Sequence, residues 1–129
     1  MSKATGTFEV SIVPQTDREI PHLHRMTIDK KISGDLEATT QGQMLAARTA
    51  IANSAGYVAI ERVEGTLHGK KGSFVLQHNA TMNKGAQSLV VTVVPDSGTE
   101  ELEGLSGTFA IDVANGKHAY DFDYQLPGG

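Results

Sequence analysis

Glu61 and His78, two residues that can share a proton, occupy positions where strict alternation would place apolar side chains. Both lie in the segment GYVAIERVEGTLHGKKGSFVLQHNATM (56–82), on the same face as Tyr57 and Ala59. Burial raises the pKa of a carboxyl group and a nearby cation lowers it, and such tuning makes a general acid or base useful near neutral pH. The pattern predicts a catalytic pair in which Glu61 moves a proton or stabilises developing charge. His78 would orient it, share its proton or bind a ligand oxygen.

A structural role is the alternative for this pair, because buried charges need partners whatever they do. A slip of one residue in the alternation would also turn Arg62 and Glu64 inward and Glu61 outward. We interpret Val58 and Ile60, on the opposite face, as exterior residues at a subunit contact, which exposed apolar patches often mark.

Period two runs through almost the whole sequence and predicts an all-β fold in one domain, residues 1–129. Apart from the two strands in the segment above, the alternating runs are GTFEVSIVP, HRMTIDKKIS, DLEATTQGQMLAA, SLVVTVV, GTFAIDVA and KHAYDFDYQL. An antiparallel sheet of this size avoids exposed edges by closing. We therefore expect a closed antiparallel barrel of about eight strands, which has room inside for packed side chains or one small ligand.

Two segments depart from the strand pattern. SGTEELEGL predicts one short helical turn, with Ser97 and Glu100 spaced as a capping box and Gly104 at its end. The segment RTAIANSA (48–55) fits either a helical turn or an irregular loop.

The turn between the two strands of the 56–82 segment sets the predicted neighbours of Glu61. A loop of Gly69-Lys70-Lys71-Gly72 would pair Leu67 with Phe74 and Val63 with His78. Glu61 would then face Ala80 and lie diagonal to His78, at roughly 7–8 Å between backbone positions.

The inward faces of the other strands supply candidate ligand contacts. Lys30 falls on the apolar face of the second run and is a candidate counter-ion for Glu61 if the two strands lie close together. The predicted ligand-binding residues are Lys30, Met44, Tyr57, Phe74, Tyr120 and Tyr124.

Composition and motifs argue against several classes of function. A net charge of −4 gives no reason to expect nucleic acid. The absence of cysteine excludes thiolate chemistry, and no run approaches the length of a membrane helix. The polar start MSKATGTFEV predicts a cytoplasmic protein. His22 and His24 have a metal-like spacing, but no second motif completes a site. Nucleotide-binding fingerprints and a serine-nucleophile motif are also missing, so we expect no metal and no cofactor.

Two blocks of the sequence carry a resemblance to a known family. GYVAIERVEGTLHGKKGSFVLQH and VVPDSGTEELEGLSGTF, within Gly56 to about Gly107, resemble the signature of a bacterial family of uncharacterised small proteins. That family is similar in fold to allene oxide cyclase, an oligomeric barrel of about eight strands that holds an apolar unsaturated substrate. The resemblance implies a barrel. The catalytic glutamate of allene oxide cyclases lies early in the chain, and Glu9, the early candidate here, is on the outward face, so no catalytic residue is transferred.

Three hypotheses follow. The protein is a cofactor-independent isomerase or cyclase using Glu61 and His78, a carrier in which the same pair orients a small apolar ligand, or a non-catalytic structural or interaction protein with a filled core. We favour a ligand-holding barrel, with catalysis as a further possibility. The expected partners are a small apolar molecule and a second copy of the chain, in a dimer.

Overall fold

The computed structural model describes residues 2–16, 20–114 and 116–128. Within these ranges the chain forms eight strands and one short 3₁₀ turn, Glu100–Leu102. The strands are β1 Ser2–Pro14, β2 Leu23–Gly34, β3 Leu36–Arg48, β4 Ala55–Leu67, β5 Lys70–Asn83, β6 Ala86–Val93, β7 Ser106–Ala114 and β8 Lys117–Gln125. No helix in these ranges has the length and apolar character that crossing a bilayer requires.

Each strand pairs antiparallel with the next, and β8 pairs with β1 to close the barrel. The register aligns inward residues in rows across the wall. One row joins Ile28, Gly42, Glu61, Leu76 and Val93. The predicted all-β closed barrel is therefore confirmed, and the period-two pattern identified its inward face on every strand.

One end of the barrel is filled by side chains. The core there includes Leu36, Leu67, Phe74, Phe109, Phe122 and, from the segment around the 3₁₀ turn, Leu102 and Leu105. That segment lies alongside β5, because the backbone N–H groups of Ser73 and Val75 donate to the hydroxyls of Thr99 and Ser97. We call this end the closed half.

The opposite end is only partly filled. The inward positions Ile12, Leu89 and Val113 are 47%, 40% and 60% exposed. They lie where β1 ends, β6 begins and β7 ends, past the packed core. We call this end the open half, and its rim the mouth.

The predicted register of the β4–β5 hairpin is wrong. His68 and Gly69 form a two-residue turn with φ of 47° and 79°, so Leu67 pairs with Lys70 and Val63 with Phe74. Positive φ at both central residues is the geometry of a type I′ hairpin. Because the shift is an even number of residues, the inward face is unchanged. Glu61 pairs with Leu76 instead of Ala80 and is still diagonal to His78.

The predictions for the two segments outside the strand pattern, SGTEELEGL and RTAIANSA, compare differently with the structure. The short helical turn is confirmed, but the capping box is wrong. Thr99 precedes the turn without a side-chain cap, and Ser97 instead donates to the carbonyl of Val94. Between Arg48 and Ala55 the chain is an irregular loop, the second of the two readings.

Candidate functional site

Strand β4 carries Glu61 into the barrel and turns Arg62 to the exterior. The side chain of Glu61 is 0% exposed, whereas Arg62 pairs on the surface with Glu64. Opposite Glu61 on β3 lies Gly42, where an added Cβ would be 2.6 Å from the Cβ of Glu61. Glycine in a strand often marks such a close approach. The lack of a side chain at Gly42 therefore leaves the space that Glu61 occupies.

Three charged or titratable side chains meet at one oxygen atom. Nζ of Lys30 lies 2.9 Å from Oε1 of Glu61, and Nε2 of His78 lies 2.6 Å from the same oxygen. All three side chains are buried. We call Lys30, Glu61 and His78 the polar cluster. Lys30 is on β2, so it reaches Glu61 across β3, and its ammonium also lies 4.9 Å from the ring centre of Phe8.

The second oxygen of Glu61 has no such partners. Oε2 is buried and makes no hydrogen bond within the described residues, and the same holds for the hydroxyl of Thr40. Thr40 pairs directly with Lys30 across β2 and β3 and faces the same interior. Buried polar atoms without partners are uncommon in folded proteins, so these two atoms are candidate contacts for a bound group.

The polar cluster holds Glu61 in its ionised form. Burial raises the pKa of this carboxyl, but hydrogen bonds from His78 and Lys30 and the positive charge of Lys30 outweigh it and lower the pKa from 4.5 to about 2. A carboxylate only accepts hydrogen bonds, so Nε2 of His78 carries the shared hydrogen. At neutral pH Glu61 is therefore a buried anion, and its catalytic role stays a prediction.

The half-buried side chains of Met26, Met44 and Tyr57 lie between Glu61 and the mouth. Met26, Met44, Ala59 and His78 form the next row toward the mouth. Tyr57 lies one row farther, half-buried, and its pKa is raised by burial and by the negative charge of Glu61. Two of the predicted ligand-binding residues, Met44 and Tyr57, therefore lie in the open half, near the polar cluster.

A cavity of about 750 Å³ lies at the mouth. Its lining comes from both faces of the wall, with Ala46, Tyr57 and Ala80 on the inward face and Leu45, Val58 and Asn79 on the outward face. Residues of the β1–β2 connection, including Ile20, complete it. The polar cluster does not line this cavity. Tyr57 lines it and also shares its face of β4 with Glu61.

The other predicted ligand-binding residues lie in the closed half. The ring of Phe74 stacks on Phe122, with 5.8 Å between ring centres. The hydroxyl of Tyr120 donates to the carbonyl of Ser33 and accepts from the N–H of Leu36, both at 3.0 Å. The hydroxyl of Tyr124 contacts Nδ1 of His68. None of the three lines the cavity at the mouth, and their contact with a ligand stays a prediction.

Sequence reasoning missed the importance of Gly42 and Thr40. An isolated glycine inside an alternating strand is a recognised signal of close backbone approach, so Gly42 could have been identified. Thr40 gives no such signal, because threonine is common in strands. Within the described ranges, no group of three or more His, Cys, Asp or Glu is arranged to hold a metal ion.

Comparison with known proteins identifies a family and a similar solved structure. Residues 4–124 match the family model described as protein of unknown function DUF3224. A crystal structure from Shewanella oneidensis MR-1, described as a protein with unknown function from the same family, is 47% identical, with a TM-score of 0.94. The match covers 100% of this chain and 99% of that one. No protein with a curated description matches the sequence.

Proposed function

Because the chain belongs to the DUF3224 family of proteins of unknown function, we propose a function from its site: the barrel binds a small, mainly apolar molecule in its open half. A hydrogen-bond donor on that molecule reaches Glu61. Met26, Met44 and Tyr57 contact its apolar part.

Oε2 of Glu61 is the observation that supports this proposal most strongly. It is a buried, ionised oxygen with no hydrogen bond in the described residues, while Oε1 receives two. A buried polar atom without a partner costs about 1–3 kcal/mol, and a hydroxyl or N–H group of a ligand would recover part of it. Lys30 already balances the carboxylate charge, so the favoured ligand is neutral.

The shape of the barrel supports a small ligand. The closed half is packed with aromatic and aliphatic side chains, which leaves the open half for binding. The cavity at the mouth, about 750 Å³, falls within the roughly 300–1,000 Å³ that is typical of small-molecule pockets. Ligand entry past Tyr57 would join this cavity to the polar cluster.

The test is native mass spectrometry of the protein purified from its own cells, with organic extraction of bound molecules. We expect the wild-type protein to carry a small molecule that Glu61→Gln and His78→Ala lose or hold more weakly. Glu64→Gln is the matched control, since it makes the same change on the same strand but faces solvent. An empty wild-type barrel, or equal occupancy in all variants, contradicts the proposal and favours a structural or interaction role.

A second candidate function is cofactor-independent isomerisation or cyclisation of the bound molecule. The observation that favours it is the ionised carboxylate in a largely apolar interior, because fixed charge in such a site stabilises opposite charge that develops in a transition state. Glu61 would act as an electrostatic stabiliser. Incubation of the extracted compound with the protein should then give a product of equal mass and different chromatographic retention time. Glu61→Gln should form this product more slowly. An unchanged compound leaves the protein a carrier.

A further inference from the structure

The outer wall formed by β3, β4, β5 and β6 is uncharged across three consecutive rows toward the mouth. The register aligns its members across the four strands. They are Gln43, Ile60, Gln77 and Thr92 in the first row, Leu45, Val58, Asn79 and Val90 in the second, and Ala47, Gly56, Thr81 and Ser88 in the third. We call these positions the uncharged wall.

Large apolar side chains are exposed on this wall. Leu45, Val58, Ile60 and Val90 are between 50% and 58% exposed. Leu45, Val58 and Ile60 are contiguous, since Leu45 pairs with Val58 and Ile60 is the next outward residue of β4, and Val90 lies in the same row beyond Asn79. Contiguous exposed apolar residues on a folded protein mark interaction sites.

Charge is concentrated on the opposite side of the barrel. On β1, β2 and β8 the outward positions include Glu9 paired with Lys31, and Lys3 beside Asp121 and Asp123. The uncharged wall is instead bordered by charged or hydrogen-bonded groups. Arg62 pairs with Glu64 along β4, and Arg25 donates to Gln43 at the β2 side. An uncharged centre with a polar border is the usual anatomy of a protein interface.

We propose that the uncharged wall binds a second copy of this chain in a two-fold dimer. The chain carries a net charge of −4, so two copies repel each other unless their charged sides point apart, and contact between uncharged walls achieves this. Gln43, Gln77 and Asn79 both donate and accept hydrogen bonds, so these amides can pair with their own kind across a two-fold axis. A strongly charged partner would find no complementary charge on this wall.

The same contact would close the cavity at the mouth. Leu45, Val58 and Asn79 belong to the uncharged wall and also line that cavity. A second copy seated there covers the outward side of the cavity and shields a ligand from water. This part of the inference rests on the proposed ligand-binding function, whereas the dimer itself does not.

The experiment is light scattering coupled to size-exclusion chromatography on the wild-type protein and on Val58→Lys and Val90→Lys. Both substitutions place a charge at exposed positions in the middle of the wall. Ser11→Lys adds the same charge on the exterior of β1, opposite Asp29, and is the matched control. We expect a dimer for the wild type and for Ser11→Lys, and half that mass for the two wall variants, with unchanged circular dichroism.

A monomeric wild-type protein, or dimers that persist in both wall variants, overturns the proposal. The outcome is made independent of ligand binding by measuring the oligomeric state both on protein as purified and on protein that has been unfolded in urea, dialysed free of small molecules and refolded. Closure of the cavity is tested separately, by measuring the affinity of each variant for the neutral fluorescent probe N-phenylnaphthylamine. We expect monomeric Val90→Lys, whose substitution lies outside the cavity lining, to bind this probe at least about 5-fold more weakly than the dimeric Ser11→Lys. Equal probe affinity would contradict closure while leaving the dimer intact.

Discussion

Lys30 and Glu61 form an ion pair inside the barrel, with Nζ 2.9 Å from Oε1 and side chains 6% and 0% exposed. The two residues belong to strands that are not neighbours, so their contact crosses β3 above Gly42 and Thr40. Buried ion pairs are costly to desolvate, and apolar replacements of both partners are often as stable or more so. Replacing both members of this pair by apolar residues should therefore preserve stability while removing the proposed ligand contact.

The first prediction concerns the free energy of unfolding of single and double variants. Glu61→Ala should lower it by about 3–5 kcal/mol, because Lys30 is left as a buried charge without its partner. Lys30→Met combined with Glu61→Ala should recover much of that loss, since no unpaired ammonium remains. Urea denaturation of the two single variants and the double variant measures the coupling. Glu64→Ala, on the exposed side of the same strand, should change stability by less than about 0.5 kcal/mol. Additive effects of the two substitutions would contradict direct pairing.

The second prediction is an acid-dependent loss of stability. The pKa of Glu61 is about 2 in the folded protein against an ordinary value of 4.5, so the unfolded chain binds more protons between these pH values. Stability from this group is complete above about pH 4.5 and is lost as the pH falls toward 2. The difference corresponds to about 3 kcal/mol.

Unfolding free energies of wild type and Glu61→Gln between pH 2 and pH 7 check this prediction. The glutamine variant should show a flatter profile below pH 4.5, because its side chain does not titrate. Glu64→Gln should keep the wild-type slope. Parallel profiles for wild type and Glu61→Gln would show that the carboxyl titrates normally.

The inward position of the polar cluster was predictable from the sequence, but its contacts were not. Alternation alone puts Lys30, Glu61 and His78 on inward faces, because side chains on a strand have a period of two. The turn was misassigned because His68 adopts a positive φ of 47°, which histidine adopts less readily than the asparagine or glycine usual in such turns. The contact of Lys30 with Glu61 depends on the strand order and register of the closed barrel, which no local pattern encodes, although the isolated glycine at 42 signals a close approach. The division into a filled half and an open half likewise depends on where the segment around Leu102 and Leu105 packs.

The third prediction compares two of the inward tyrosines, Tyr57 and Tyr120. Tyr120→Phe removes the group that binds both the N–H of Leu36 and the carbonyl of Ser33. It should lower the free energy of unfolding by about 1–3 kcal/mol, because these buried backbone groups lose a partner. Tyr57→Phe should leave stability nearly unchanged, since the described residues give its hydroxyl no hydrogen bond. Thermal and urea unfolding measure both. A stability loss in Tyr57→Phe equal to that in Tyr120→Phe would show that the Tyr57 hydroxyl is also structural, and an unchanged stability in Tyr120→Phe would contradict the structural role of Tyr120.

The fourth prediction tests whether the gap at Gly42 maintains the polar cluster. In Gly42→Ala the new Cβ would lie 2.6 Å from the Cβ of Glu61 and 2.5 Å from the carbonyl oxygen of Ile60. Backbone atoms cannot yield as a flexible side chain does, so β3 and β4 must move apart. We expect a loss of about 1–3 kcal/mol in stability.

Gly56→Ala is the control for this variant, because its nearest contact would be an ordinary 3.6 Å. If the strands separate at Gly42, Glu61 moves away from Lys30, which lies beyond β3, and its pKa rises toward the ordinary value. The acid-dependent loss of stability should then shrink in Gly42→Ala and persist in Gly56→Ala. A full acid dependence in a destabilised Gly42→Ala would mean that the cluster moves as a unit with β4. In that case the contacts of Glu61 with Lys30 and His78, rather than the gap at Gly42, hold the three side chains together.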